Sequence, residues 1–116
     1  MPLPSRLERI NALLQERIND VLLTEVEMPL GTLVTITKVR TTPDLKSAKV
    51  YISVLPEQHR GTALALLRKA IGPIKRSLYQ TVSFHTIPSF EFVLDETEAY
   101  AAKVEDLIDS LELPND

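Results

Sequence analysis

The chain has 116 residues, of which 44% are hydrophobic and 25% charged, as in one globular domain and unlike a disordered segment. It contains no cysteine, which excludes a disulfide framework, a thiol nucleophile and a cysteine-ligated metal site. Because no apolar run is long enough to span a membrane and the N-terminus lacks the apolar core of a signal peptide, we expect a soluble, cytoplasmic protein.

The charge is distributed unevenly along the chain. The formal net charge is −3, yet residues 91–116 hold nine acidic residues against Lys103 alone, a local net charge of −8. The first 90 residues therefore have a net charge of +5. This asymmetry permits a nucleic-acid-binding face on a basic body, although an ordinary solvated surface remains open.

The first predicted element is a helix that begins near Arg6. Ser5 can cap it, and Glu8 stands at the position of the capping-box acid. One face should be buried, because apolar residues recur at helical spacing. These residues are Leu7, Ile10, Leu13, Leu14, Ile18, Val21 and Leu22.

Residues 32–55 predict an antiparallel β-hairpin. Its first half is rich in Thr, Val and Ile, and Pro43-Asp44 supplies the turn, with proline suited to the first central position. In the second strand, apolar residues at even positions from Ala48 to Val54 alternate with polar ones. One face should pack, and the other, with Tyr51, should meet water or a partner.

Three further elements complete the predicted order. Residues 57–80 form a helical segment, 88–95 a third strand, and 97–111 a final helix. The order helix, strand, strand, broken helix, strand, helix predicts an α+β fold, with a three-stranded sheet covered on one face by helices. We expect a single domain over 1–116, with an ordered core at about 5–112.

Gly72 and Pro73 interrupt the long helical segment without interrupting its apolar stripe. Gly72 can adopt positive φ just past a helix C-terminus, and Pro73 suits the first position of a new helix. The sequence therefore predicts that one helix ends near Ile71 and another begins near Pro73. The stripe that continues through the break comprises Leu64, Leu67, Ile71, Ile74 and Leu78.

Basic residues flank this break on both sides. At about 100° per residue, they fall on one arc beside the apolar stripe. The small residues Ala70 and Gly72 permit close backbone approach, and a helix N-terminus favours anions. The combination is a candidate phosphate-binding arrangement, and a plain helix corner is an equally good interpretation. The basic residues are Arg68, Lys69, Lys75 and Arg76.

These segments resemble the ribosome-binding factor A family over residues 5–111. The resemblance lies in the block "TPDLKSAKVYISVL", in the Ala-x-Gly break at Ala70 and Gly72, and in "FEFVLD" running into a helix with "KVEDLI". Members of that family are bacterial small-subunit assembly factors with a type-II KH-like fold. Two features depart from the family's usual pattern, namely Pro73 directly after the glycine and the acidic overall charge.

The resemblance implies a function. KH domains grip single-stranded RNA beside an interhelical Gly-x-x-Gly loop, which in this family is replaced by the Ala-x-Gly kink. It implies a non-enzymatic factor that binds free or immature small ribosomal subunits through rRNA. It also implies a role in maturing the 5′ region of small-subunit rRNA and in cold adaptation. The expected partners are the small subunit and its rRNA, and other assembly factors are further candidates. The protein is expected to be a monomer and to need no cofactor or metal.

The predicted RNA-binding residues lie at the kink and in the hairpin. They are Arg68, Lys69, Ala70, Gly72, Lys75, Arg76, Lys38, Arg40, Lys46 and Lys49. No catalytic residue is predicted, because His59 and His85 have no serine or carboxylate at a telling spacing. Tyr51 is either an open base-stacking platform or an ordinary exposed strand tyrosine.

A second hypothesis is a protein-interaction module. In that case the acidic helix at 97–112 would be the working surface, and the KH-like fold would only be its scaffold. Charge reversal at Glu105, Asp106 and Asp109 separates the two hypotheses, since it would abolish partner binding while RNA affinity is retained.

Overall fold

The computed structural model describes residues 5–81 and 87–96; the predicted final helix at 97–111 and His85 lie outside them. The described elements follow the predicted order. They are α1 (Arg6–Glu25), β1 (Leu33–Thr41), β2 (Ser47–Leu55), a 3₁₀ helix (Glu57–His59), α2 (Arg60–Lys69), α3 (Ile71–Thr81) and β3 (Ser89–Leu94). In this part of the chain, no helix is both long and apolar enough to cross a membrane.

The N-terminus of α1 forms the predicted capping box. The N–H of Glu8 donates to the Ser5 hydroxyl at 3.1 Å, and the N–H of Ser5 donates to the Glu8 carboxylate at 3.3 Å. These bonds satisfy N–H groups that a helix end otherwise leaves without intrahelical partners. Further along, the apolar stripe is buried at Leu14, Ile18, Val21 and Leu22.

The sheet has the strand order β1-β2-β3. β1 and β2 are antiparallel, as predicted, whereas β3 runs parallel to β2. A parallel neighbour needs a long crossover, which α2 and α3 provide. At the predicted turn, the N–H of Leu45 donates to the Thr42 carbonyl at 2.8 Å, so Pro43 and Asp44 are the central residues. Leu45 itself adopts a left-handed φ of 63°.

The three α-helices of the described residues, α1, α2 and α3, pack on the same face of the sheet. One core cluster unites side chains of the helices, such as Leu14, Leu67 and Leu78, with Val50 of β2 and Phe92 of β3. Each of these five is at most 1% exposed. The β2 side chains in between, among them Lys49 and Tyr51, therefore lie on the opposite face, which the described helices leave uncovered.

The break between α2 and α3 differs from its prediction. The sequence predicts that one helix ends near Ile71, that another begins near Pro73, and that Gly72 can adopt positive φ; the break is present, but it lies two residues earlier and the φ prediction was wrong. α2 ends at Lys69, α3 begins at Ile71, and Gly72 has no positive φ. The corner is Ala70 alone, with φ −87° and ψ −1°.

Ala70 makes this corner while keeping most of the helical hydrogen bonding. Its N–H donates to the Leu66 and Leu67 carbonyls at 3.1 and 3.0 Å, and its carbonyl accepts from the Ile74 N–H at 2.9 Å. A bridge-region conformation therefore turns the chain without a left-handed residue. Pro73 is tolerated because it lies in the first turn of α3, where a missing N–H removes no intrahelical bond.

Candidate nucleic-acid interface

The structure brings the six predicted residues of the corner onto one stretch of the surface, called here the kink site: Arg68, Lys69, Ala70, Gly72, Lys75 and Arg76. Three of its four cations are exposed, and Lys75 is half-buried. Burial of Leu67, Ile74 and Leu78 in the core fixes both helices with this basic side outward. The cations of the last α2 turn also suit the negative end of that helix dipole.

Gly72 gives the kink site an accessible backbone. The residue is exposed, and a Cβ built onto it meets no atom within 4 Å. Packing against the rest of the fold does not require glycine here, and its φ is not positive. Gly72 is nevertheless in helical conformation directly before Pro73, where the proline ring crowds the Cβ of any other residue, so the backbone favours glycine. The exposed main chain that results is open to a ligand.

The N-terminus of α3 opens at the same place. The first N–H groups of a helix have no intrahelical acceptor. In α3 these belong to Ile71 and Gly72, since Pro73 has none and the N–H of Ile74 already donates to Ala70. The two N–H groups and the positive dipole end favour an anion such as a phosphate.

The predicted hairpin cations lie elsewhere. Lys38, Arg40 and Lys49 are on the sheet face opposite the helices, and Lys46 is exposed at the hairpin turn. In the register, Arg40 is opposite Lys49 and Lys38 is opposite Tyr51. The fold does not join these cations to the kink site, so the extended single surface predicted from the sequence is two surfaces on opposite sides of the sheet.

The position of Lys38 depends on a β-bulge that the sequence reasoning missed. The register shifts between Ile36 and Lys38, leaving Thr37 as the extra residue. Strict alternation from the buried Ile36 would turn Lys38 toward the core, whereas the bulge places its ammonium 4.6 Å from the centroid of the Tyr51 ring. The available signal was the three-residue spacing of the apolar Ile36 and Val39, which breaks the two-residue period.

Polar groups outside these surfaces have structural roles. The Thr32 hydroxyl lies 2.6 Å from His59 Nδ1 and ties the start of β1 to the 3₁₀ helix. The pKa of the Asp44 carboxyl lies below its usual value because the Thr42 hydroxyl and then the Lys46 N–H donate to it. Within residues 5–81 and 87–96, no cluster of three His, Cys, Asp or Glu side chains is placed to hold a metal ion.

Three helices against one face of a three-stranded mixed sheet define a KH-like α+β fold, as predicted. The fold is similar to the crystal structure of ribosome-binding factor A from Thermus thermophilus, with a TM-score of 0.67 and 23% identity over 74% of this chain and 91% of that one. The fold is also similar to a homology model of the T. thermophilus factor that was fitted into a cryo-EM map of a 30S complex. The TM-score is 0.63 and the identity 24%, over 74% of this chain and 91% of that one.

Sequence comparison identifies the family. The sequence model of ribosome-binding factor A matches residues 6–108. Ribosome-binding factor A of Nitrosococcus oceani is 36% identical over 106 residues, which cover 90% of this chain and 84% of that protein. The factor of Thermodesulfovibrio yellowstonii is 31% identical over 103 residues, 89% and 87% of the two chains. The chain belongs to the ribosome-binding factor A family.

Proposed function

We propose that the protein is a non-enzymatic assembly factor that binds free or immature small ribosomal subunits through rRNA at the kink site. Family membership supports the ribosomal partner, and the relative from T. thermophilus is described in a 30S complex. The observation that carries the choice of surface is the exposed main chain at Gly72, with cations on both sides.

Binding at the kink site is proposed to use backbone and shape more than base identity. Arg68, Lys69, Lys75 and Arg76 neutralise phosphates, and the absence of a side chain at Gly72 admits the sugar–phosphate chain to the start of α3. Phosphate contacts position a ligand without reading its sequence. Specificity for the immature subunit then comes from the shape of a single-stranded rRNA segment.

The remaining parts of the proposal concern the cellular role. The protein acts in the cytoplasm as a monomer and one KH-like domain, without cofactor, and aids maturation of the 5′ region of small-subunit rRNA, with the greatest need in the cold. Co-sedimentation with ribosomal particles from cold-shifted cells tests this role. We expect salt-sensitive association with free or immature small subunits and little with assembled ribosomes. No association at low or moderate salt would overturn it.

Salt dependence tests the electrostatic part of the proposal. If the four cations meet about four phosphates of a single strand, log K falls with log salt at a slope of roughly −3. Changing Arg68 and Lys69 to Gln should bring the slope near −1.5, because two contacts are lost. The matched control is Arg6→Gln with Arg9→Gln, which removes the same charge from exposed positions of α1. A slope near zero in the unaltered protein would refute the mechanism.

Gly72→Asp tests the role of the kink separately from its stability. A Cβ there meets no atom beyond the chain neighbours, and an acidic side chain in the first turn suits the helix dipole. Because the residue precedes Pro73, urea denaturation of the variant first establishes that it is folded. Binding should weaken at least tenfold, because the carboxylate repels phosphate. Gly72→Ala is the control, because it adds the same Cβ before Pro73 without the charge and should show the same steric effect on folding with a smaller loss of affinity. Unchanged affinity of Gly72→Asp would show that the kink is only a corner.

A second candidate function rests on the acidic composition of residues 97–112, which suits binding of a protein partner. Lys substitutions at Glu105, Asp106 and Asp109 should then abolish partner binding and leave RNA affinity unchanged or higher. Loss of RNA affinity in this variant would exclude a purely protein-directed role for the segment.

A further inference from the structure

The sheet face opposite the helices carries a row of cations. Lys38 and Arg40 of β1, and Lys49 and Tyr51 of β2, lie side by side there and are called the open sheet face. We infer that the open sheet face is a second RNA-binding surface, which takes a single-stranded segment different from the one at the kink site. The inference rests on the proposed rRNA-binding function and extends it to a domain held between two RNA segments.

Charge favours an anionic occupant for this face. Glu91 of β3 is beside Lys49 in the register, yet no ion pair joins them among the described residues. The other carboxylates near the ends of this face are engaged, since Asp44 accepts hydrogen bonds from Thr42 and Lys46, and Asp95 accepts one from Thr37. A hydrogen bond from a hydroxyl leaves a carboxylate charged, so Lys38, Arg40 and Lys49 face Glu91 and Asp95, and the remaining positive excess complements a sugar–phosphate backbone.

The geometry is suited to an extended strand of RNA. Residues Lys38 and Arg40 are about 7 Å apart along β1, and Lys49 is the direct cross-strand neighbour of Arg40. The three cations thus form a track over two adjacent strands. A groove of about 420 Å³ lies at this end of the sheet, lined by Arg40, Lys49 and Glu91 from the open face and by Thr41, Ala48 and Phe90 from the core side.

The bulge and the Tyr51 ring order the Lys38 side chain before RNA binds. A free lysine loses up to about 2 kcal/mol of side-chain entropy when it is ordered. Lys38 is already held over the ring at 4.6 Å, so part of this loss precedes binding. The half-buried ring also offers apolar surface to a base beside the bound phosphate. A plain solvated face requires neither the bulge nor the cation–π pair.

The two surfaces cannot share one short strand. Side chains of β2 point alternately to the open face and to the core, and the core residues Ala48, Val50 and Ile52 lie between Lys49 or Tyr51 and the helices. A segment on the open sheet face would have to pass round a sheet edge to reach Gly72. Two short oligonucleotides should therefore bind one protein molecule at the same time.

Stoichiometry with oligouridylate of ten nucleotides tests the inference on the full chain. Native mass spectrometry should show two oligonucleotides on the unaltered protein, and one on a variant with Gln at Lys38, Arg40 and Lys49. The matched variant with Gln at the four kink-site cations should also bind one. Circular dichroism confirms that each variant is folded.

The outcomes distinguish the inference from the proposed function. If the open-sheet variant still binds two oligonucleotides, the inference is overturned, whatever happens at the kink site. If the kink-site variant still binds two while the open-sheet variant binds one, the proposed function fails at its site and the inference stands. If the open sheet face binds RNA only after Glu105, Asp106 and Asp109 are neutralised, the chain's own acidic segment is its occupant, and the inference is overturned.

Photocrosslinking locates the second segment. With 5-iodouridine in the oligonucleotide, we expect an adduct on the tryptic peptide at 50–60, which contains Tyr51. The adduct should persist in the Lys38→Gln single variant at reduced yield and disappear in Tyr51→Ser. Tyr51→Phe is the folding control, since it keeps the ring and should retain most of the adduct. In the triple Gln variant the loss of Lys49 lengthens the tryptic peptide to 47–60, and a full yield of the Tyr51 adduct on that peptide would contradict the cation track.

Discussion

The kink site and the open sheet face are both basic, but they are built from different parts of the chain. At the kink site, cations surround a main chain that no side chain covers, at the start of α3. On the open sheet face, the strands present cations whose position depends on cross-strand neighbours, above all Lys38 on Tyr51. Both surfaces are positively charged, yet they would contact RNA differently: the kink site with backbone N–H groups, and the open sheet face with side chains.

Within the kink site, helix stability accounts for the cations of α2 but not for those of α3. Arg68 and Lys69 stabilise the C-terminal end of α2 through its dipole, so their presence has a structural reason. Lys75 and Arg76 are near the N-terminal end of α3, where a cation gains nothing from the dipole. Since Lys75 is also half-buried, its charge is a stronger indication of a ligand than that of Arg68 or Lys69.

The largest expected effect comes from the core that both surfaces share. Phe92 is 1% exposed and is beside Val50 in the sheet. Phe92→Ala should lower the free energy of unfolding by about 3–5 kcal/mol and weaken binding at both surfaces. Urea denaturation measures the change. The control is Val93→Ala, half-buried on the other face of the same strand, with a cost near 1 kcal/mol. Loss of binding at only one surface would contradict the shared core.

A smaller change should affect the kink site alone. The buried Ser77 hydroxyl of α3 lies 2.7 and 2.8 Å from the two carboxylate oxygens of Glu25 at the end of α1, and donates to that carboxylate. Ser77→Ala should cost about 1.5–3 kcal/mol, as for a hydrogen bond to a charged group. Loosening α3 should weaken oligonucleotide binding at the kink site and leave the Tyr51 crosslink unchanged.

The matched control for this prediction is Ser53→Ala on the open sheet face, a half-buried serine that does not tie two helices together. It should change the free energy of unfolding by less than about 1 kcal/mol. An equal loss for the two serine variants in urea denaturation would show that the tie between α1 and α3 does not hold the kink site in place.

Much of the fold followed from local rules in the sequence. Cap chemistry located the start of α1 at Ser5, alternation identified the buried face of β2, and Pro43-Asp44 marked the turn. Each of these signals depends on neighbours within a few residues, which is why it can be read without tertiary structure. Helical spacing likewise aligned the four cations of the kink site, whose role in RNA binding stays a prediction.

The features that were missed depend on small backbone choices or on distant partners. A single residue, Ala70, makes the corner through its ψ angle, which the identity of an alanine does not indicate. Leu45 adopts a left-handed φ that sequence rules reserve for glycine or asparagine. The bulge at Thr37 is associated with a hydrogen bond to Asp95, 58 positions away in the sequence. Of these features, only the bulge bears on the basic surfaces, because it turns Lys38 to the open sheet face.

The bulge offers a test confined to the open sheet face. The Thr37 hydroxyl donates to the Asp95 carboxylate at 2.6 Å. Thr37→Val should lower the free energy of unfolding by about 1–2 kcal/mol and reduce the Tyr51 crosslink, because Lys38 is less well held. Thr35→Val is the control, since its exposed side chain is on the same strand outside the bulge. The same loss in both variants would mean that the Asp95 bond does not fix the bulge.

The smallest expected effect lies at the hairpin turn, which carries Lys46 at the edge of the open sheet face. The Thr42 hydroxyl, 2.6 Å from the Asp44 carboxylate, and then the Lys46 N–H lower the pKa of Asp44. A depressed folded pKa contributes stability above the unfolded value of about 3.9, and this contribution is lost as pH falls through the folded value.

Removal of that hydroxyl should therefore raise the pKa of Asp44 toward its usual value. Thr42→Val should show this shift in an NMR titration of the Asp44 carboxyl, whereas Thr42→Ser keeps the donor and should not. The Val variant should be the less stable protein above pH about 3.9, and the difference should shrink on acidification, because the unaltered protein then loses the Asp44 contribution that the variant already lacks. Since the turn lies away from Gly72, affinity at the kink site should stay constant. A parallel loss of affinity there would show that the two surfaces are coupled through the sheet.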